Sequence, residues 1–114
     1  SSKFYIIEPI PVYSFSVSDS YLYKKTSWGD PVTLELSEWE SQIKDTSEFL
    51  INLKSTNIQS IPTIPIFCDV YETKKCFAAY DDKLFYSDSN HLTLTGANLI
   101  TNILEVELLN ELNN

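Results

Sequence analysis

Apolar positions along the chain change their spacing from segment to segment, and each spacing predicts a different element. Lys3 to Ile7 is a short run of Phe, Tyr and Ile, apolar on both faces and stopped by Pro9 and Pro11. This is the pattern of a buried central strand, because a parallel strand covered by helices has no polar face to show. Residues 12–35 are rich in Ser, Tyr and Thr without sustained periodicity, which predicts a long surface excursion holding at most a short helical turn. From Glu38 to Ser55 the period becomes helical. Trp39, Ile43, Thr46, Leu50 and Leu53 recur on one face, and Ser37 with Glu40 stands at capping-box spacing. This helix is expected to lie against the sheet, with Trp39 as a core anchor. After Asn57 and the prolines Pro62 and Pro65, Ile64 to Phe67 fits a short strand reaching Cys68, and Lys83 to Tyr86 fits a segment that pairs locally or leads into the next loop. A final helix is predicted with Thr93 as its N-cap, running to about Leu109 with Leu94, Ala97, Ile100, Leu104 and Leu108 inward, and with a frayed polar tail from Asn110 to Asn114. The order of strand, loop, helix, strand, cysteine loop and helix is that of an α/β protein.

Composition narrows the classes of function. The 114 residues, 43% apolar and 13% aromatic, suffice for one small domain with a core. No run of 18 apolar residues occurs and no signal peptide is legible. Eight Lys, no Arg and sixteen acidic residues give a formal charge of −8, which excludes nucleic acid as a partner, since phosphate binding needs a basic surface. One His and two Cys are too few for a closed zinc site without recruiting carboxylates, so no metal is expected. Cys68 and Cys76, eight positions apart around a polar excursion, suit a disulfide at the base of a small loop or two separate buried thiols. The aromatic residues of the long excursion, Tyr13, Phe15, Tyr21, Tyr23 and Trp28, also have two open placements. They line a carbohydrate-binding rim, as aromatic faces stack on sugar rings, or they cover the core.

The candidate chemistry lies in Phe85-Tyr86-Ser87-Asp88-Ser89-Asn90-His91-Leu92-Thr93-Leu94-Thr95-Gly96-Ala97. It places the sole histidine three residues after an aspartate and just before a helix. Imidazole is the side chain best suited to take a proton from a hydroxyl near neutral pH, and a neighbouring carboxylate fixes its tautomer and stabilises the cation that forms. An Asp-x-x-His block followed by Leu, then Thr, and soon by Gly-Ala resembles the last motif block of the SGNH hydrolases. The resemblance is greatest to the SGNH domains attached to membrane acyltransferases that O-acetylate bacterial surface polysaccharides, O-antigen among them. The cysteine-framed loop Cys68 to Cys76 and the Ile6-Ile7-Glu8-Pro9-Ile10-Pro11 segment are similar to features of the same domains, so that the likeness extends from near the N-terminus to about Ala97.

The chain also departs from that pattern. The family's nucleophile sits in a Gly-Asp-Ser motif, and none occurs here: Gly29 lies in Ser27-Trp28-Gly29-Asp30 and Gly96 follows His91. Nor do Asn57 and Asn90 have the surroundings of the family's oxyanion-hole blocks. The resemblance therefore implies that residues 1–114 form the C-terminal portion of an SGNH domain, a three-layer α/β/α flavodoxin-like fold with a parallel sheet flanked by helices. It implies serine acyl transfer with His91 as base and Asp88 as its partner, the serine coming from an N-terminal part of the domain that this chain lacks, so that the chain alone is inactive. The acetyl group would originate from acetyl-CoA and arrive through an attached membrane acyltransferase domain. The acceptor would be a polysaccharide, no metal or organic cofactor would be needed in this chain, and the location would be periplasmic and tethered to the inner membrane. In that oxidising compartment the pairing of Cys68 with Cys76 is favoured. Two alternatives remain open at this point. One is an SGNH carbohydrate esterase that removes acetyl groups with the same residues. The other is a noncatalytic secreted glycan-binding or protein-binding module in which His91 merely caps or bonds to the last helix.

Overall fold

A computed structural model describes residues 3–23, 32–53 and 57–113. In chain order its elements are β1 (Phe4–Ile7), α1 (Val17–Tyr23), β2 (Val32–Glu35), α2 (Leu36–Leu53), β3 (Ile58–Ile61), α3 (Ile64–Phe67), β4 (Cys68–Asp69), β5 (Lys75–Tyr80), β6 (Lys83–Leu84) and α4 (Leu94–Asn113). The fold is mixed α/β. β1 pairs with β3 in parallel, whereas β4 and β6 pair with β5 antiparallel in a second sheet of order β2-β5-β4. None of the described helices is long and apolar enough to cross a membrane. Two compact units divide the chain: Ser1–Pro11 with Leu34–Cys76, and Val12–Thr33 with Phe77–Asn114.

In the first unit the register Phe4↔Ile58 to Ile7↔Ile61 is extended at both ends by the Phe4 N–H on the Asn57 carbonyl (2.8 Å) and the Glu8 N–H on the Ile61 carbonyl (2.9 Å). β1 is less buried than its sequence predicts, with Phe4 58% and Ile7 43% exposed. The reason is its position, since β3 is its one hydrogen-bonded neighbour among the described residues. The expected strand at 64–67 is instead the single turn α3. Pro65 in its first turn has a fixed φ suited to a helix and lacks an N–H that the first turn does not need, while the Ile66 and Phe67 N–H groups both reach the Thr63 carbonyl. The strand lies earlier, at Ile58–Ile61, and ends where Pro62 would break its ladder. Buried Thr63 gives its hydroxyl to the Pro9 carbonyl.

The helix α2 begins two residues ahead of prediction, which puts Ser37 inside the first turn instead of at the N-cap. The Leu36 N–H, one of the donors that a helix start leaves orphaned, goes to the Lys74 carbonyl at 2.9 Å. Leu36, Trp39 and Ile43 form the buried stripe, Leu50 and Leu53 are half-buried, and Thr46 is exposed. Cys68 and Cys76 stand opposite each other in the β4–β5 pair and are joined by a disulfide. Inside that loop the Asp69 carboxylate accepts the N–H groups of Tyr71, Glu72 and Thr73, each at 3.1 Å, and the Thr73 hydroxyl at 3.2 Å.

In the second unit β5 turns into β6 through Asp81 and Asp82, both at positive φ (52° and 62°), the conformation of a tight two-residue hairpin that short polar side chains tolerate. Tyr13, Val17, Ala78, Ala79, Tyr86 and Ile100 are buried. The ring of Tyr13 meets that of Tyr86 edge-on at 5.1 Å between centroids. α4 starts where predicted but continues to Asn113, so residues 110–113 are helical and not frayed. Its inward face is carried by Gly96 and Ile100, with Ala97 and Leu104 half-buried. Leu94 and Leu108, expected to point inward, are 79% and 47% exposed. At 100° per residue Leu94 stands about 120° away from Ile100 and Leu108 about 80° away, off the stripe that Gly96 selects by close approach.

Candidate active site

The Asp88–His91 loop is shaped by its own aspartate. Oδ1 of Asp88 accepts the backbone N–H groups of Asn90 (2.9 Å) and His91 (2.7 Å), which wraps residues 89–91 into a turn. The turn brings the His91 ring back over the same carboxylate, where Nδ1 lies 2.8 Å from Oδ2. A spacing of three residues thus lets one carboxylate organise both the backbone and the imidazole. The neck of the loop is closed by the Ser87 N–H on the His91 carbonyl (2.8 Å) and by a bridge between Tyr86 and Leu92.

Downstream, Thr93 joins the loop to α4. Its Oγ1 accepts the Gly96 N–H at 3.1 Å, as an N-cap should, and donates to the Leu84 carbonyl at 2.6 Å, while its own N–H reaches the Phe85 carbonyl at 2.9 Å. The helix start therefore lies tight against residues 84–85. A Cβ at Gly96 would fall 2.2 Å from the Phe85 oxygen and 3.0 Å from its carbonyl carbon, so this position admits only glycine without backbone movement.

Electrostatics assign the protons. The Asn90 N–H, opposed by desolvation and joined by the His91 N–H and ring, holds the Asp88 carboxyl below the usual carboxylate range. Ionised Asp88 can only accept, so in the neutral imidazole the proton sits on Nδ1 and Nε2 presents a lone pair. The His91 side chain is 73% exposed and that of Asp88 47%. Such an open pair contributes little to stability, which directs attention to what it can do chemically: accept a proton at Nε2 and hold the resulting charge.

Of the other expected site residues, Tyr13 is buried against Tyr86 and belongs to the core, not to a sugar-stacking rim. Phe15 is 40% exposed and Tyr21 half-buried. The Tyr23 side chain and Trp28 lie outside the described residues. Among the described residues, no group of three or more His, Cys, Asp or Glu side chains could hold a metal ion. The sequence pattern gives no sign of a further contribution: donors of Tyr13, Val17 and Ser18 reach the carbonyls of Ser89, Asp88 and Ser87. Contacts between positions so far apart in the chain leave no local signature.

A family model described as SGNH domain (fused to AT3 domains) matches residues 1–106, which includes the whole Asp88–Gly96 region and most of α4. The chain belongs to this SGNH family. No match is found among the curated proteins or among the solved structures. Within this SGNH domain of the acyltransferase-associated kind, Asp88 and His91 form the one His–carboxylate pair among the described residues. The SGNH domain also contains the Cys68–Cys76 disulfide, so neither sulfur is a free thiol.

Proposed function

We propose that this SGNH domain provides the acid–base half of a serine acyltransferase that moves acetyl groups onto a cell-surface polysaccharide. The observation that carries the reading is the 2.8 Å contact from His91 Nδ1 to Asp88 Oδ2, with the imidazole otherwise open to solvent. In the proposed cycle His91 Nε2 takes the proton from a serine hydroxyl supplied outside this chain, and the serine Oγ attacks the acetyl carbonyl. The imidazolium, stabilised by Asp88, returns the proton to the leaving group. A sugar hydroxyl then gives its proton to Nε2 and attacks the acyl-enzyme, and the serine Oγ departs with that proton. The acetyl group would come ultimately from acetyl-CoA through an attached membrane acyltransferase domain, and no cofactor is assigned to this chain. The family match supports the acyltransferase association, and the disulfide supports an extracytoplasmic, oxidising location. The parallel β1–β3 pair supports a fold with a parallel sheet.

A second reading follows from the exposure of the imidazole. Water can replace the sugar hydroxyl at so open a ring, which makes the domain an esterase using the same two residues. Replacing His91→Ala in the complete protein tests the proposal. Loss of polysaccharide O-acetylation with unchanged folding is expected, and retained acetylation would sink it. The ratio of acetyl transferred to acetate released by the unaltered protein separates transferase from esterase.

A further inference from the structure

Three consecutive carbonyls of the Asp-x-x-His loop are each taken by a donor from one short segment of the same unit. The Tyr13 N–H donates to the Ser89 carbonyl at 2.9 Å, the Val17 N–H to the Asp88 carbonyl at 3.3 Å, and the Ser18 hydroxyl to the Ser87 carbonyl at 2.5 Å. The Asp88 carboxylate, by contrast, spends Oδ1 on the N–H groups of Asn90 and His91 and Oδ2 on the imidazole, all within the loop. Side-chain bonding therefore gives the pair its internal geometry. The backbone bonds to residues 13–18 fix where that geometry stands.

The segment is itself well anchored. Tyr13 is 3% exposed and packs on Tyr86, and Val17 is fully buried. Val17 opens α1, so its N–H has no partner inside the helix and is satisfied by the Asp88 carbonyl. Ser18, one position further, is the only one of the three donors that acts through its side chain.

We propose that Ser18 is a positioning residue for the acid–base pair: its hydroxyl, bound to the Ser87 carbonyl, holds the peptide that leads into Asp88 and keeps the carboxylate on Nδ1 of His91. The proposal rests on the reading of His91 as the base. Without the hydroxyl, the peptide before Asp88 loses one of its outside restraints. The carboxylate and the ring then part for a larger share of the time. Freed from the carboxylate, neutral imidazole places its proton more often on Nε2, where the lone pair is needed. A misplaced base costs rate and leaves acceptor binding alone.

The test uses Ser18→Ala and Ser18→Thr in the complete protein. The ring-nitrogen NMR shifts of His91, assigned with His91→Ala and read at about pH 8, where unperturbed imidazole is neutral, give the tautomer ratio. Ser18→Ala should move the ratio several-fold toward Nε2–H and lower kcat by about tenfold to a hundredfold with the acceptor KM unchanged, and Ser18→Thr should restore both. A tautomer ratio in Ser18→Ala equal to that of the unaltered protein overturns the positioning role, whatever happens to kcat. Transfer that survives His91→Ala overturns the functional reading instead, and the tautomer ratio still decides whether Ser18 positions the ring.

Discussion

One carboxylate, Asp88, binds two backbone N–H groups with Oδ1 and the imidazole with Oδ2, and the two tasks are separable by substitution. Asp88→Asn can keep an oxygen on the backbone donors, but its amide then faces Nδ1 with an N–H. That contact requires Nδ1 to accept, which moves the ring proton to Nε2 and removes the base. The expected result is a loss in kcat of about 10⁴-fold with the loop still folded, measured as acetyl transfer by the complete protein; a loss below tenfold would mean the tautomer does not matter. The pairing of Asp88 with His91 was legible in the sequence because the turn that joins them is local. The burial of Tyr13 was not, because an aromatic in a Ser-rich segment reads equally as a surface ring or as a core ring, and only its contact with distant Tyr86 decides.

At the scale of elements, the junction of the loop with α4 makes a graded prediction. Thr93→Ala removes a helix N-cap and a bond to the Leu84 carbonyl, and should cost about 1 kcal/mol. Gly96→Ala drives a methyl group onto the Phe85 carbonyl and should cost about 2 kcal/mol or more, because the atom it meets is backbone. Urea unfolding of both variants checks the order, and a harmless Gly96→Ala would refute the close approach. The disulfide closes a loop of eight positions, so Cys68→Ser with Cys76→Ser should cost about 2.5 kcal/mol on the chain-entropy account. Within that loop the N–H groups of Thr73, Glu72 and Tyr71 hold the Asp69 carboxyl below its ordinary value. A carboxyl with a depressed folded value stabilises above its unfolded value, about 3.9, and loses that contribution as pH falls through the folded one. Asp69→Asn should therefore be less stable than the unaltered chain at pH 7, and the difference should shrink as pH falls through the folded value of the Asp69 carboxyl. Helices were the more legible elements. α2 and α4 carry long apolar stripes, whereas the four-residue β3 has Gln59 and Ser60 at its centre and is specified by its pairing with β1. Pro65, read as part of a strand, is explained by the first turn of α3.

For the molecule as a whole, the most specific sign of the family in the sequence was the block Phe85–Ala97, while the family match runs over residues 1–106, and net charge says something neither of them does. A formal charge of −8 with no arginine sets up a negative field around the chain, which repels anionic polymers and leaves neutral ones unaffected. The field extends over a Debye length of about 30 Å at 0.01 M salt and about 8 Å at 0.15 M. If the domain delivers acyl groups to a polysaccharide, its preference between acidic and neutral acceptors should depend on salt. Raising salt across that range should increase kcat/KM several-fold for an acidic polysaccharide by relieving the repulsion, and should change it little for a neutral one of similar length. The acetyl transfer rates of the complete protein on the two acceptors, measured below saturation, make the comparison. An equal response of both would show that the charge of this chain is screened or offset where the acceptor approaches, and would assign acceptor choice to contacts at the site instead of to the field around it.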